Sequence, residues 1–267
     1  MSTYAAIVEY RELFANLLRR DLQAKYRGSA LGVLWTIANP VLLMGVYLLV
    51  FSVVLNSRFA NVDHFPLFLL AGLAVWTFFS AALLSSTRSM LDNANLIRKT
   101  RFPRQLVPIS VVGAHLVSFV VMLVGLLVLN AALLPRVRST ELLALPLGLC
   151  FVALVTGLAL AVASLNVLFR DIEFIVAALL LPWFFLTPVI YPLGGVPGIA
   201  QRHHTVVQFL HWGNFVTPGI QAIRDVLFWG RLPTWGDALY LVVAAVVSLA
   251  VGAWVFSRVD DQIAIEV

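Results

Sequence analysis

The stretch from Phe65 to Leu84 reads FPLFLLAGLAVWTFFSAALL and contains no charged residue. At 1.5 Å per residue, a helix of this length covers about 30 Å, the thickness of the hydrocarbon core of a bilayer. Five further apolar runs flank it, at residues 34–55, 106–134, 142–169, 172–190 and 235–256. The pattern predicts an all-α membrane protein with six transmembrane helices in one transmembrane domain, residues 34–267, preceded by a cytoplasmic segment, residues 1–33.

The composition supports a membrane protein and argues against a soluble one. Hydrophobic residues make up 61% of the chain and charged residues 12%, whereas soluble domains are about 45–50% apolar. The net charge is +5, but the basic residues form short clusters between the apolar runs. We therefore interpret them as topology signals and expect no nucleic-acid partner.

The distribution of Lys and Arg predicts the orientation. Five precede the first apolar run (Arg11, Arg19, Arg20, Lys25, Arg27) and five lie between the second and third (Arg88, Arg98, Lys99, Arg101, Arg104). Both segments should be cytoplasmic by the positive-inside rule. Because the number of spans is even, both termini are expected in the cytoplasm.

Segment 1–33 contains a helical pattern. Apolar residues recur at three- and four-residue steps, and most of the charged residues fall between them; the apolar positions are Tyr10, Leu13, Phe14, Leu17, Leu18, Leu22 and Tyr26. This spacing predicts an amphipathic helix lying in the membrane interface. Such a helix either only anchors the protein at the membrane surface or takes part directly in its function.

Two short charged connections are candidate contact sites for another protein. In residues 92–104, Asp92 or Asn93 is placed to cap a short basic helix that ends before Pro103. A charged loop that only sets the topology fits the same residues. The pair Arg170 and Asp171 joins the fourth and fifth runs, either as a tight turn or as a charged contact with a soluble partner.

The region 192–229 resembles neither a loop nor a span. Four prolines and three glycines between Pro182 and Gly198 interrupt the helix, and polar residues such as Arg224 and Asp225 follow. We expect re-entrant or interfacial helices on the external side, which lipid tolerates only where protein or water satisfies their backbone.

Aromatic residues cluster in two of the apolar runs: Trp76, Phe78, Phe79, Trp183, Phe184, Phe185 and Tyr191. They fit an interfacial aromatic belt, or a pore lining on which sugar rings stack. The only lysines, Lys25 and Lys99, do not follow a glycine, so the sequence contains no GxxxxGK[ST] phosphate loop. No carboxylate or cysteine pattern completes a metal site around His203, His204 and His211, and none is expected.

Four motifs resemble polysaccharide-exporting ABC-2-type permeases, among them the O-antigen and teichoic acid exporter permeases. They are LRRDLQAKYRGSALGVLW at residues 18–35 followed by Asn39-Pro40, NLIRK at 95–99 followed by Phe102-Pro103, NVLFRDI at 166–172, and TPVIYP at 187–192. The similarity runs in order along nearly the whole chain.

The resemblance implies a transport subunit of the bacterial inner membrane rather than an enzyme. Such a permease is a homodimer that pairs with two copies of a separate ATPase, which carries the ATP and Mg²⁺, so no cofactor is expected on this chain. The implied cargo is a glycan on a polyprenyl pyrophosphate. The implied coupling residues, on a helix that docks on the ATPase and the turn beside it, are Asn93, Asn95, Leu96, Ile97, Arg98, Lys99, Arg101, Arg170 and Asp171.

By the same resemblance, residues 192–229 are the external gate helices. As a separate hypothesis, the basic residues Arg19, Arg20, Lys25 and Arg27 attract the pyrophosphate. Two other functions stay open at this point: an exporter of drugs or unlinked lipids with the same architecture, and a channel or membrane enzyme.

Overall fold

The computed structural model describes residues 10–26, 28, 32–50, 64–100, 102–133, 139–193 and 204–266. Within these ranges all regular secondary structure is helical. In chain order the helices are α1 (Arg11–Tyr26), α2 (Trp35–Leu48), α3 (Phe65–Asp92), α4 (Ala94–Lys99), α5 (Leu106–Leu133), α6 (Ala144–Leu168), α7 (Asp171–Leu186), α8 (His204–Trp212), α9 (Thr217–Arg224) and α10 (Trp235–Glu266). Short 3₁₀ turns precede α2 and α6, and a π turn, Asp225–Trp229, continues α9.

Among the described residues, four helical segments are long and apolar enough to cross a bilayer. They are Phe65–Asp92, Leu106–Leu133, Ser139–Leu168 and Trp235–Asp260. Four of the six predicted spans thus correspond to such segments. Two helices continue past the predicted runs, α3 to Asp92 and α10 to Glu266.

The other two predicted spans correspond to shorter helices. α2 has 14 residues and α7 has 16, fewer than the roughly 20 that span a bilayer without help. The backbone of Thr187 is extended at the end of α7, because the proline that follows excludes helical geometry there. The last five residues of the first predicted span, 51–55, lie outside the described residues.

α3 is the central helix. Within its most apolar window 78% of the residues are buried, compared with 22% for α10. It packs against α2, α5, α6, α7 and α9, and its phenylalanines belong to the main core together with Phe119 of α5 and Phe151 of α6. The other long helices therefore keep large apolar faces for lipid or for another protein.

α6 and α10 approach each other through small residues. A Cβ atom added to Gly157 would meet the backbone of Ser248, and one added to Gly252 would meet the backbone of Gly157. Ser248 Oγ donates a hydrogen bond to the carbonyl of Leu154 at 2.7 Å. Small residues at this crossing bring two backbones into direct contact, a common solution in apolar surroundings.

α1 has the predicted amphipathic pattern and packs on α5. Leu17 is buried, whereas Arg19 and Arg20 are exposed. The side chains of Phe14 and Leu18 lie over Gly113 of α5, where an added Cβ would be 3.1 Å from Leu18 Cδ1. Asp21 accepts a hydrogen bond from Ser110 of α5 at 2.9 Å.

Among the four long helices, α5 runs opposite to α3, α6 and α10, so the protomer has two distinct ends. The "α4 end" consists of α1 and residues 88–100, 102–104, 166–173 and 256–266. The "α9 end" consists of residues 64–72, 187–193 and 204–234.

Candidate coupling surface

The short basic helix α4 begins directly after the long helix α3. Asn93 occupies the N-cap position, but its side chain makes no capping hydrogen bond. Its amide nitrogen donates instead to the carbonyl of Ser89 at 2.7 Å, and its Oδ1 accepts from Arg20 Nη1 at 2.6 Å. The predicted capping role of Asn93 was therefore wrong, because its side chain ties α4 to α1.

α4 has one buried face and one exposed face. Ile97 is 7% exposed and packs with Met90, Val107, Leu160 and Phe256. Asn95, Arg98 and Lys99 are exposed, and Leu96 is half-buried. Ile97 therefore anchors the helix, while the other four side chains are available to a partner. Arg101, also predicted to contribute, lies outside the described residues.

The turn between α6 and α7 is bound to the same surface. Arg88, near the end of α3, donates from Nη1 to Glu173 Oε1 at 3.3 Å. Buried Asn166 accepts the backbone N–H of Glu173 at 3.0 Å, which stabilises the first turn of α7. Arg170 and Asp171 are exposed at this turn, so the structure brings them to the end of the protomer that carries α4.

Charges at this surface interact with water as well as with each other. The Arg88 side chain is 60% exposed and that of Glu173 is 25% exposed. Exposed ion pairs of this kind contribute about 0–1 kcal/mol. Their side chains can rearrange at little cost, and such a surface suits a contact that changes during a cycle.

Of the four basic residues predicted to attract a pyrophosphate, the three that the structure describes do not form one cluster. Arg19 is exposed, and Arg20 bonds Asn93 and, at 2.7 Å, Asp21. Lys25 Nζ donates to Ser118 Oγ of α5 at 2.7 Å. Arg27 lies outside the described residues.

The aromatic residues predicted to line a pore divide into two groups. Trp76, Phe78, Phe79 and Phe184 are buried, and they pack against each other and against neighbours such as Phe119. Phe185 is exposed, and Trp183 and Tyr191 are half-buried. Only this second group reaches the surface of the single protomer.

At the α9 end, the structure reveals a buried arginine to which sequence analysis gave no role. Arg224 is 1% exposed. Its Nη1 and Nη2 donate to the carbonyls of Pro188 and Val189 at 2.9 and 2.8 Å, and its guanidinium lies 3.8 Å from the ring centre of Phe68. The signal available in the sequence was a lone Arg-Asp pair within the apolar stretch 222–228.

Neighbouring polar residues extend this buried link. The Asp225 carboxylate accepts from Arg231 Nε at 3.0 Å, and burial raises the pKa of that carboxyl while Arg231 opposes the rise. Asn214 donates to Thr187 Oγ1 at 2.8 Å and accepts from Trp183 Nε1 at 2.9 Å. The bonds of Asn214 and Arg224 hold residues 187–189, which follow α7, against α9 and the residues just before it.

The histidines do not form a metal site in the part of the chain that the structure describes. There, no three His, Cys, Asp or Glu side chains lie close enough to hold a metal ion. His211 Nε2 lies 2.6 Å from Asp237 Oδ1, and Thr234 donates to the other carboxylate oxygen. His211 therefore links α8 to the start of α10. His203 lies outside the described residues.

A family model described as ABC-2 type transporter matches residues 12–228. This chain belongs to that family. The match begins in α1 and ends in the π turn after α9, so it includes α4 and every residue of the coupling surface. An ABC-2 type protein of this kind is a membrane-embedded transport subunit and not a catalytic enzyme.

Three curated relatives of this ABC-2 type permease share one description. The O-antigen export system permease protein RfbA of Myxococcus xanthus is 34% identical over 258 residues, covering 97% of this chain and 96% of the relative. A protein of that name from Klebsiella pneumoniae is 30% identical over 190 residues, covering 70% and 71% of the two chains. A second from the same organism is 26% identical over 261 residues, covering 95% and 94%.

Proposed function

We propose that this chain is the membrane subunit of an ATP-driven exporter that moves a polyprenyl-pyrophosphate-linked glycan across the bacterial inner membrane. Two copies form the translocation path, and two copies of a separate ATPase supply the energy. The export of a glycan rests on the relatives, each named as an O-antigen export permease.

The coupling surface is the observation that carries this proposal. α4 is a two-faced helix whose apolar residue Ile97 is fixed in the protomer, while Arg98 and Lys99 point outward. The exposed turn at Arg170 and Asp171 lies at the same end, where Arg88 of α3 pairs with Glu173 of α7. Because Ile97 of α4 shares one buried cluster with Met90 of α3, Leu160 of α6 and Phe256 of α10, movement of α4 is transmitted to these helices, which is what a motor docked at this end requires.

In this proposal the α4 end is cytoplasmic, all six apolar runs cross the membrane, and α2 and α7 do so with help from the second copy. Segments 187–193 and 204–229 then form the external gate. Surface aromatics of that region, Trp183, Phe185 and Tyr191, are the candidates for contact with sugar rings.

Reconstitution tests the role of the coupling surface. The chain is purified together with its partner ATPase and placed in proteoliposomes with a lipid-linked glycan. The double variant Arg98→Glu, Lys99→Glu is expected to lose ATP-dependent transport and most ATPase binding, because the partner would meet two reversed charges. Arg258→Glu in α10 is the matched control, because Arg258 is exposed at the same end but lies outside α4.

Retention of coupled transport by the double variant would overturn the assignment of α4. Glycan-independent transport of a drug or an unlinked lipid by the wild-type pair would favour the rival exporter. Transport without any ATPase would favour a channel.

Accessibility labelling tests the orientation. Cys150 is the only cysteine, so Asn95→Cys in a Cys150→Ser background gives a single reporter on the exposed face of α4. A membrane-impermeant maleimide should modify it in inverted vesicles and leave it unmodified in intact cells. Modification in intact cells would place α4 outside and exclude a cytosolic motor.

A further inference from the structure

A cavity of about 340 Å³ lies between α1, α2, α3 and α5. Its inner wall is mostly apolar, with the aromatic or flexible side chains of Trp35, Phe119 and Met122, and it also includes the polar residues Asn39 and Thr77. Its rim is polar, with Lys25, His115 and Ser118. The cavity therefore changes from polar to apolar along its length, as a site for an amphipathic molecule must.

The polar rim is organised by hydrogen bonds. Lys25 Nζ lies 2.7 Å from Ser118 Oγ and 3.4 Å from His115 Nδ1, and His115 Nε2 lies 3.0 Å from Ser85 Oγ. These contacts fix an ammonium group at the mouth of the cavity. Among the described residues that line it, Lys25 is the only charged one.

A second hollow of about 590 Å³ shares Lys25 and His115 with this cavity and continues toward the α4 end. Its other charged groups are partly balanced, since Arg20 pairs with Asp21 at 2.7 Å, and Asp92 lies 3.9 Å from Arg88. The two hollows together form a groove from the charged end of the protomer to the apolar wall.

We propose that this groove binds the headgroup-proximal part of an isoprenoid diphosphate, with the phosphates at Lys25 and the first isoprene units against Trp35 and Phe119. A phosphate in low-dielectric surroundings needs a fixed cation and hydrogen-bond donors, and the rim supplies both. A branched, unsaturated chain packs well on aromatic faces. The inference rests on the proposed function, because it names the binding site for that lipid-linked cargo.

The structure favours Lys25 over the other basic residues of α1 for this contact. Arg19 is exposed and does not line either hollow. Arg20 lines only the outer hollow, where its guanidinium is bonded to Asp21 and Asn93. Among the basic residues of α1, Lys25 is therefore the one that is placed to contact a phosphate at the rim of the groove.

Binding of farnesyl diphosphate to the purified permease–ATPase complex in detergent tests the inference. Lys25→Gln should weaken binding about tenfold or more, the effect of losing a charge-assisted contact. Arg19→Gln, which removes the same charge from the same helix, should bind as the wild type does. Ala81→Phe, which fills the cavity from α3, should also weaken binding.

Controls with other ligands separate the sources of phosphate. Farnesol, which lacks the phosphates, should bind weakly and equally to the wild type and Lys25→Gln. Equal effects of Lys25→Gln and Arg19→Gln would overturn the inference, as would displacement of the probe by an equal concentration of phosphatidylglycerol. Probe binding without ATP-dependent transport would contradict only the proposed function, and transport without probe binding would contradict only this inference.

Discussion

Two arginines at opposite ends of the protomer each join two segments of the chain, but one is partly exposed to water and the other is buried. Arg20 joins α1 to Asn93 with a side chain that is 48% exposed, whereas Arg224 joins α9 to residues 188 and 189 and is 1% exposed. The first contact competes with water and is replaceable. The second has no substitute, because the carbonyls it satisfies are shielded from solvent.

This difference separates an adaptable end from a rigid one. At the α4 end, Arg20 pairs with Asp21 and Arg88 pairs with Glu173, and both pairs are partly exposed. Such pairs stabilise the fold only slightly, and a partner protein can compete for these side chains. At the α9 end and the adjoining start of α10, Arg224, Asp225 and Asp237 are buried. Arg224 contacts residues 188 and 189 and the ring of Phe68 in α3, and Asp237 contacts His211 of α8. We therefore expect the α9 end to move as one unit.

The largest effect should come from removing the buried charge. Arg224→Met keeps much of the side-chain volume but leaves the carbonyls of Pro188 and Val189 without donors, so the free energy of unfolding should fall by about 3 kcal/mol. Denaturation of the purified protein in mixed detergent micelles measures the change. Exposed Arg258→Met is the control and should stay within about 0.5 kcal/mol of the wild type. Equal shifts for both variants would mean that Arg224 does not hold the α9 end together.

A smaller loss of unfolding free energy is expected from a substitution in α3, the helix that packs against Arg224. A Cβ atom added at Gly72 would collide with the Arg224 guanidinium and lie 2.7 Å from the carbonyl oxygen of Val189. Gly72→Ala should therefore cost about 1–3 kcal/mol of unfolding free energy, the usual cost of overpacking.

Gly125→Ala in α5 is the matched control for that substitution, because nothing lies within 4 Å of the added Cβ. It should be neutral or stabilise the helix by up to about 1 kcal/mol. If both glycine variants behaved alike, close contact with Arg224 would not be what constrains position 72.

The smallest effect is expected at the α4 end. Arg88→Ala breaks the pairs with Glu173 and Asp92, yet the free energy of unfolding should change by only about 0–1 kcal/mol, because these groups stay hydrated. The same micelle denaturation measures it, with Arg98→Ala as an exposed control from α4. A loss above about 2 kcal/mol would show that the α4 end is as rigid as its counterpart.

Much of the helical architecture could be predicted because it depends on local patterns. The apolar runs at 65–84 and 106–134 correspond to α3 and α5, and the three- and four-residue spacing around Leu17 indicated which face of α1 is buried. These features follow from the helical period and from hydropathy. The helix lengths in runs 34–55 and 172–190 were not predicted correctly, because α2 and α7 are shorter than these runs. In the second run, Pro188 ends α7 early.

The candidate site was only partly visible in the sequence. The pattern left open whether residues 92–104 form a helix or a charged loop, and the coupling residues were implied by the family resemblance; the structure brings α4 and the turn at Arg170 and Asp171 to one end. The side-chain partners of Asn93 and Lys25 were not predictable, since the residues that bond them come from α1 and α5 respectively.

By itself the sequence determined that this protein is helical, mostly apolar and charged at the connections between its helices. Only the tertiary structure decided that α3 is the central helix while α10 stays largely exposed, and that Arg224 is buried. The physical reason is that lipid-facing and core-facing positions are equally apolar in a membrane protein. Hydropathy therefore locates the helices but does not distinguish their faces, and packing between distant segments makes that choice.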